Sequence, residues 1–164
     1  MGMYAGYTAI TESQIKNLLE SEETSEIIQV LVNDEKNSYV SISFYWDALH
    51  FLLTGEPATD PKEGHYFGEF IVGETIIGSE FYAACTTANT VKKIVEKINA
   101  IIIDSYLKDF SMEKFEKKNI YPKIWDDESL KEDTIKSISL YFEDLRTFYN
   151  EAAKNNNGIL ITIY

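Results

Sequence analysis

The sequence is poor in the residues that form disulfides, metal clusters and phosphate clamps. Among its 164 residues are one cysteine, Cys85, one arginine, Arg146, and two histidines. A lone cysteine excludes an intrachain disulfide framework and every cysteine-based metal cluster. A single arginine leaves almost no bidentate clamp for phosphate. These shortages favour a reduced cytoplasmic protein that carries no metal and no cofactor.

Positive charge and long apolar runs are also scarce. Fifteen basic side chains face 27 acidic ones, which gives a net charge of −12. Nucleic acids and anionic membranes are held largely by lysine and arginine, so neither is expected as a partner. No apolar run approaches the ~20 residues of a membrane-spanning helix. The first residues lack the basic and apolar regions of a signal peptide, which again indicates a cytoplasmic protein.

The acidic charge is concentrated in the first part of the chain. Residues 1–90 hold 14 acids and three lysines, a net of −11, whereas residues 91–164 have a net charge of −1. A solvated acidic surface that keeps the protein soluble explains this pattern. An acidic face that attracts a basic protein explains it as well. The sequence leaves both interpretations open.

The pattern of apolar residues predicts a single compact α+β domain over residues 1–164. Apolar residues make up 45% of the chain and aromatic residues 13%, enough for a hydrophobic core. We expect a mixed sheet that includes the N- and C-terminal strands, packed against several helices, with one long C-terminal helix. Residues 65–77 are expected to be strand and turn, and the structure of residues 22–45 stays open. Trp46, Phe142 and Tyr149 are expected in the core.

The most specific local pattern is a polar stripe on an apolar helix. In the segment WDALHFLLTG, Asp47, His50 and Thr54 fall within roughly 60° of one another at helical spacing. As a candidate catalytic pair, Asp47 accepts a hydrogen bond from one ring nitrogen of His50, and the other nitrogen acts as a base. The alternative is that the stripe faces solvent, or that its groups satisfy one another in the core.

Six further residues are candidate ligand-binding groups, each with a structural alternative. His65 lies in a loop-like segment of the kind that often carries binding residues. Aromatic side chains can line a pocket, although most such residues belong to a core. The histidines match no known metal-ligand spacing, so no metal is expected. The candidate set is Trp46, Thr54, His65, Glu74, Tyr121 and Trp125.

Several segments together resemble a known bacterial family. They are the opening Met-Gly-Met, WDALHFLLTG, the turn at Val72 to Glu74, IYPKIWDD, and the ending FYNEAAKNNNGILITIY. In this order they are similar to the YfbM-like family, a bacterial domain of unknown function. The resemblance implies a small α+β domain of about this length. It implies no activity, cofactor or catalytic residue.

Two functions follow from these features. The first is a non-catalytic binding or regulatory protein, including the immunity type, whose acidic face holds a basic protein. The second is a small hydrolase or transferase that uses the Asp47/His50 pair in a pocket. Neither the partner or substrate nor the oligomeric state can be derived from the sequence.

Overall fold

A five-stranded antiparallel sheet forms the centre of the computed structural model, which describes residues 2–164. Its strands lie in the order β2-β1-β5-β4-β3. All pairings between these strands are antiparallel, so the sheet differs from the mixed sheet that the sequence predicted. The strands are β1 (Ala5–Ile10), β2 (Tyr39–Ser43), β3 (Thr75–Ile77), β4 (Tyr82–Thr86) and β5 (Gly158–Ile163).

The last strand of the chain lies in the middle of the sheet. β5 pairs with β1 on one side and with β4 on the other, and all six of its residues are buried. Its uninterrupted apolar character is typical of such an interior strand. Gly158 opens the strand where a side chain has no room, because a Cβ there would lie 2.5 Å from the carbonyl oxygen of Thr86. The inclusion of both terminal strands in the sheet agrees with the sequence prediction.

Helices cover both faces of the sheet. In the described part of the chain they are α1 (Glu12–Glu20), α2 (Thr24–Asn33), α3 (Trp46–Thr54), α4 (Tyr66–Val72), α5 (Ala88–Ile98), α6 (Ile103–Leu107), α7 (Met112–Lys117) and α8 (Lys131–Lys154). A short 3₁₀ turn, Glu128–Leu130, precedes α8. α8 is the predicted long C-terminal helix, and the α+β class is confirmed. Within residues 2–164, no helix combines the length and the hydrophobicity that crossing a membrane requires.

Two hydrophobic cores make the sheet the middle layer of three. The larger core lies between one face of the sheet and the helices α3 to α8. The smaller core lies on the opposite face, under α1 and α2, and contains Ile15, Leu18, Ile28 and Leu31. The spacing of these four side chains is helical, and α2 therefore settles the structure of residues 27–32 as helix.

Local sequence signals account for the helix α1. The Thr11 hydroxyl accepts a hydrogen bond from the Gln14 backbone N–H at 3.2 Å, and the Gln14 side chain accepts one from the Thr11 N–H at 2.8 Å. This reciprocal pair is the capping box that Thr11 and Gln14 predict. It satisfies two N–H groups that have no partner within the helix.

Tertiary contacts override the local pattern in residues 65–77. The prediction of a strand and turn is wrong for residues 66–72, because Tyr66–Val72 forms the helix α4. Within residues 65–77, only Thr75–Ile77 is a strand. Three tyrosine hydroxyls bind carbonyls at the end of α4. They are Tyr149 to Phe70 at 2.9 Å, Tyr7 to Ile71 at 2.7 Å and Tyr82 to Val72 at 2.7 Å. These carbonyls lack partners within the helix, so the tyrosines complete a helix that its own sequence does not indicate.

The aromatic residues divide between the core and the surface. Phe142 and Tyr149 are fully buried, as predicted. Trp46 is only partly buried and stacks on Tyr121, with ring centroids 5.6 Å apart. Its indole N–H donates to the Met3 carbonyl at 3.1 Å. The prediction of Trp46 as a core residue is therefore wrong, because the start of α3 lies at the edge of the larger core.

Candidate functional site

The predicted polar stripe lies on α3, at the end of one core. Asp47 and His50 are buried, with 7% and 6% of their surface exposed, whereas Thr54 is exposed. α3 ends at Gly55, which adopts the left-handed conformation at φ 79° and donates its N–H to the Phe51 carbonyl at 2.8 Å. The stripe therefore runs from the buried start of the helix to its exposed end.

Asp47 holds two loops against α3. One carboxylate oxygen accepts a hydrogen bond from the Ala58 N–H at 2.7 Å, and the other accepts one from the Tyr121 N–H at 2.8 Å. The hydrogen bond to His50 that the sequence suggested is not among those formed within residues 2–164. Because both oxygens bind backbone amides, Asp47 acts here as a structural acceptor that joins segments far apart in sequence.

His50 is oriented by a backbone carbonyl. Its Nδ1 lies 2.9 Å from the Glu56 carbonyl oxygen, which can only accept, so Nδ1 carries the proton. The lone pair of the neutral ring is then on Nε2, which has no hydrogen-bond partner in the described part of the chain. A Cβ placed on Gly68 would lie 3.2 Å from Nε2, so the glycine allows α4 to approach the ring.

Burial keeps His50 neutral. Desolvation lowers the pKa of His50 below its ordinary value, and the charge of Lys62 acts in the same direction. The Glu56 carbonyl and the charge of Asp47 oppose this shift without cancelling it. At neutral pH the side chain therefore presents Nε2 as a hydrogen-bond acceptor or base.

Thr54 closes the helix end and is not poised as a nucleophile. Its hydroxyl donates to the His50 carbonyl at 2.8 Å and accepts from the Glu56 N–H at 3.2 Å. It also lies 3.2 Å from Nδ1 of His50. That nitrogen already carries a proton, so His50 cannot remove the hydroxyl proton of Thr54 through it.

Three adjoining cavities surround this end of the molecule. His50 lines a cavity of about 480 Å³, which we call the histidine cavity, between the end of α3, residues 56–62 and α4. A second cavity of about 530 Å³ shares Thr54, His65 and Gly68 with it and reaches Lys97. A third of about 430 Å³, the aromatic cavity, shares Thr59, Asp60 and Val72 with the histidine cavity. Its aromatic lining residues are Trp46, Phe81, Tyr82 and Tyr164.

The structure brings together only some of the predicted ligand-binding residues. Thr54 and His65 line the histidine cavity, and Trp46 lines the adjoining aromatic cavity. Tyr121 stacks on Trp46, and its hydroxyl accepts a hydrogen bond from the Met3 N–H at 2.7 Å. This places four of the six residues at one end of the fold.

Glu74 and Trp125 lie elsewhere and have structural roles. The Glu74 carboxylate accepts hydrogen bonds from the Thr87 N–H at 2.9 Å and the Thr90 hydroxyl at 2.8 Å, at the start of α5. Trp125 is buried, packs on Phe115 with ring centroids 4.6 Å apart and donates its indole N–H to the Ile120 carbonyl. It anchors the segment before α8.

Sequence reasoning missed a buried carboxyl on α4. Glu69 is 2% exposed, and its Oε1 accepts a hydrogen bond from the Gly64 N–H at 3.2 Å. Its Oε2 has no partner in residues 2–164. Burial raises the pKa of Glu69, and the negative charge of Glu74 raises it further, against the Gly64 hydrogen bond. Recognising the helical period of residues 66–72 would have placed Glu69 on a buried face.

The described residues offer no cluster of metal ligands. Across residues 2–164, no three His, Cys, Asp or Glu side chains are grouped closely enough to hold a metal ion. Cys85 lies in the smaller core, where burial raises the pKa of its thiol to about 11. Such a thiol stays protonated and is a poor nucleophile at neutral pH.

These features define a three-layer α+β domain with a partly buried polar stripe beside a group of cavities. The model of the family described as "Domain of unknown function (DUF1877)" matches residues 1–162, so the chain belongs to this family. The chain is 26% identical to the protein YfbM of Escherichia coli strain K12 over 165 residues, which cover 99% of both chains. It is also similar to the crystal structure of YfbM from Escherichia coli, a protein of unknown function. That match has a TM-score of 0.81 and 24% identity over 98% of this chain and 99% of that one.

The family membership and the structural likeness support the predicted YfbM-like family and its α+β fold. They add no activity, since both the family and the protein of the solved structure are described as of unknown function. Function must therefore be argued from the site and the surface of this chain.

Proposed function

We propose that this chain is a non-catalytic binding protein, of regulatory or immunity type, that holds a basic protein in the cytoplasm. The observation that carries the proposal is the grouping of exposed acids on one layer of the fold. Residues 11–38, which contain α1 and α2, include seven acids and two lysines, a net charge of −5, and all seven acids are exposed. Together α1 and α2 cover a single face of the sheet.

The opposite layer is mixed in charge. Residues 91–164, which include the helices α6 to α8 and most of α5, hold 13 acids and 12 bases, a net of −1, whereas residues 46–72, which include α3 and α4, hold five acids and one lysine, a net of −4. The layer of α1 and α2 therefore differs from the α5 to α8 part of the opposite layer, where bases balance the acids. A potential of one sign on one face steers a partner of opposite charge and sets its orientation.

The acidic layer also exposes apolar side chains that a partner could cover. Leu19 on α1 is 50% exposed and Val30 on α2 is 68% exposed. Protein interfaces commonly combine an apolar centre with a polar rim. Leu19 and Val30 would supply the centre, and acids such as Glu22, Glu23 and Glu26 the rim.

The second candidate function is a small hydrolase or transferase based on the Asp47/His50 pair. The observation in its favour is His50, which lines a cavity and whose Nε2 has no hydrogen-bond partner among residues 2–164. The arrangement of Asp47 speaks against it, because both carboxylate oxygens bind backbone amides. We therefore rank binding first.

Charge reversal on matched surfaces tests the proposal. The tagged protein is used to capture partners from lysate of its own cells, with washes from about 0.05 M to about 1 M salt, a range over which screening becomes strong. The variant Glu22→Lys/Glu23→Lys/Glu26→Lys changes the acidic layer. The control Glu128→Lys/Glu132→Lys/Asp133→Lys makes the same charge change near the start of α8, where all three acids are exposed.

We expect one basic protein to bind the wild type and the control and to elute with salt, and the first variant to lose it. Retention of the same protein by both variants would contradict the assignment to α1 and α2. A wild type that retains no basic protein at low salt would contradict the proposed function itself.

A further inference from the structure

The histidine cavity and the aromatic cavity adjoin along a common wall. Thr59, Asp60 and Val72 line both of them. Their volumes, about 480 and 430 Å³, lie within the range of small-ligand sites and exceed the needs of one water molecule. Two neighbouring groups of one ligand can therefore occupy them side by side.

The histidine cavity offers an acceptor that lacks a donor. His50 is only 6% exposed, and its Nε2 has no hydrogen-bond partner within the described residues. Because Nδ1 holds the ring proton on the Glu56 carbonyl, Nε2 can only accept. A ligand that satisfies this nitrogen must bring an N–H or O–H group.

The charges around the histidine cavity favour a cation. Glu56, Asp60 and Lys62 line it, which gives the lining a net charge of −1, and the non-lining Glu63 follows in the same loop. Lys118 lies 3.9 Å from Glu56, but both side chains are more than half exposed, so this ion pair is weak. His65, on the same wall, is exposed. An anionic ligand would meet two carboxylates, whereas a cationic one would be attracted by them.

The aromatic cavity has a different character. Four of its lining residues are aromatic, Trp46, Phe81, Tyr82 and Tyr164, and Asp60 lines both this cavity and the histidine cavity. Aromatic and apolar side chains fill such cavities readily, and tryptophan and tyrosine are enriched where proteins bind one another.

We propose that these two cavities bind an extended segment of the basic partner. A lysine or arginine side chain enters the histidine cavity, donates to Nε2 of His50 and lies near Glu56 and Asp60. An aromatic or apolar side chain two residues away enters the aromatic cavity, because side chains i and i+2 of an extended chain point to the same side. This inference rests on the proposed function and names the part of the partner that is recognised.

A symmetric peptide tests the inference in both chain directions. The probe is acetyl-Phe-Ala-Lys-Ala-Phe-amide, and its control carries norleucine in place of lysine, which keeps the alkyl chain and removes the charge and the donors. Both are titrated into the full ¹⁵N-labelled protein and followed by NMR. We expect the lysine peptide to shift the Gly68 amide and the His50 Nε2 resonances and to bind at least about tenfold more tightly than the control.

The variant Asp60→Asn identifies the site without disturbing the fold, because Asp60 is exposed. This variant should weaken the binding of the lysine peptide several-fold and leave the binding of the norleucine peptide unchanged. Glu128→Gln, which removes one exposed charge far from the cavities in sequence, is the matched control and should change neither. Equal binding of the two peptides, or no shifts at millimolar peptide, would overturn the inference.

The two proposals fail in different ways. If Glu22, Glu23 and Glu26 govern salt-sensitive capture while the peptide does not bind, the proposed function stands and the cavity inference is refuted. If the lysine peptide binds at Gly68 and no basic protein is captured, the cavities do bind a cationic side chain, but the proposed function is refuted and with it the assignment of that side chain to a partner protein.

Discussion

Replacing Asp47 by alanine separates a structural role from a catalytic one. The carboxylate accepts two short hydrogen bonds from the backbone, from Ala58 and Tyr121, and is 7% exposed. A hydrogen bond to a charged group contributes about 1.5–3 kcal/mol, and an amide left unpaired in a partly buried site adds a desolvation cost. Because water can reach part of the vacated space, we expect Asp47→Ala to lower the free energy of unfolding by roughly 2–5 kcal/mol.

Thermal and urea unfolding measure this loss. For a chain of this size, each kcal/mol corresponds to about 2–4 °C in the midpoint, so the variant should melt roughly 4–20 °C below the wild type. The stability of Asp47→Asn should lie between those of the wild type and Asp47→Ala. The asparagine amide keeps one acceptor but turns an N–H₂ group towards the other backbone amide. The exposed Asp60→Ala is the matched control and should change stability by less than about 0.5 kcal/mol.

The outcome that would refute this reasoning is a stable Asp47→Ala protein. A loss below about 1 kcal/mol would mean that water replaces the carboxylate at both amides. Asp47 would then be free for another role, and the Asp47/His50 pair would regain weight as the basis of an enzyme.

Three further predictions concern buried polar groups and are read from unfolding free energies. Tyr149→Phe removes the donor to the Phe70 carbonyl and should cost about 1–3 kcal/mol; a change near zero would mean that the carbonyl finds another donor. The raised pKa of Glu69 means that the folded state holds this proton more tightly than the unfolded state does. Stability from Glu69 is therefore complete below the ordinary carboxyl pKa and declines as the pH rises through the raised value, a decline that Glu69→Gln should abolish. The lowered pKa of His50 has the opposite effect on stability: the wild type should lose stability as the pH falls below the ordinary histidine pKa. His50→Asn should lose less stability over that pH range, and an equal loss would mean that the folded protein binds the proton on His50 as readily as the unfolded one.

Much of the fold was predictable because its signals are local or strongly periodic. The capping box at Thr11 and Gln14 needs only four residues, and it forms as expected. Along α8, the apolar period carries through Ile138, Leu145 and Ala152, all buried against the sheet. The apolar residues on both faces of β5 indicate its interior position in the sheet.

α4 was not predictable from its own residues. Its seven residues include aromatic and β-branched side chains, which favour a strand locally, and a glycine, which disfavours a helix. The helix is completed by the hydroxyls of Tyr7, Tyr82 and Tyr149, two of which are more than 50 residues away along the chain. A pattern within a short window cannot register such partners.

The polar stripe was predictable as geometry, but its hydrogen bonds were not. Helical spacing places Asp47, His50 and Thr54 on one side of α3, as observed. Their partners are backbone groups of Glu56, Ala58 and Tyr121, and any residue type can supply a backbone amide or carbonyl. Side-chain identity therefore carries no information about these partners.

The central position of β5 also governs the order in which the sheet can assemble. β1 pairs with β2 and β3 pairs with β4, and each pair comes from one continuous part of the chain. Among the described residues, β5 is the strand that pairs with both β1 and β4. A chain cut before Gly158 would lack the strand that joins the β1–β2 pair to the β3–β4 pair by hydrogen bonds. Residues 158–164 supplied as a separate peptide would then restore the fold by insertion, which makes this strand a natural place to divide the protein into two complementing fragments.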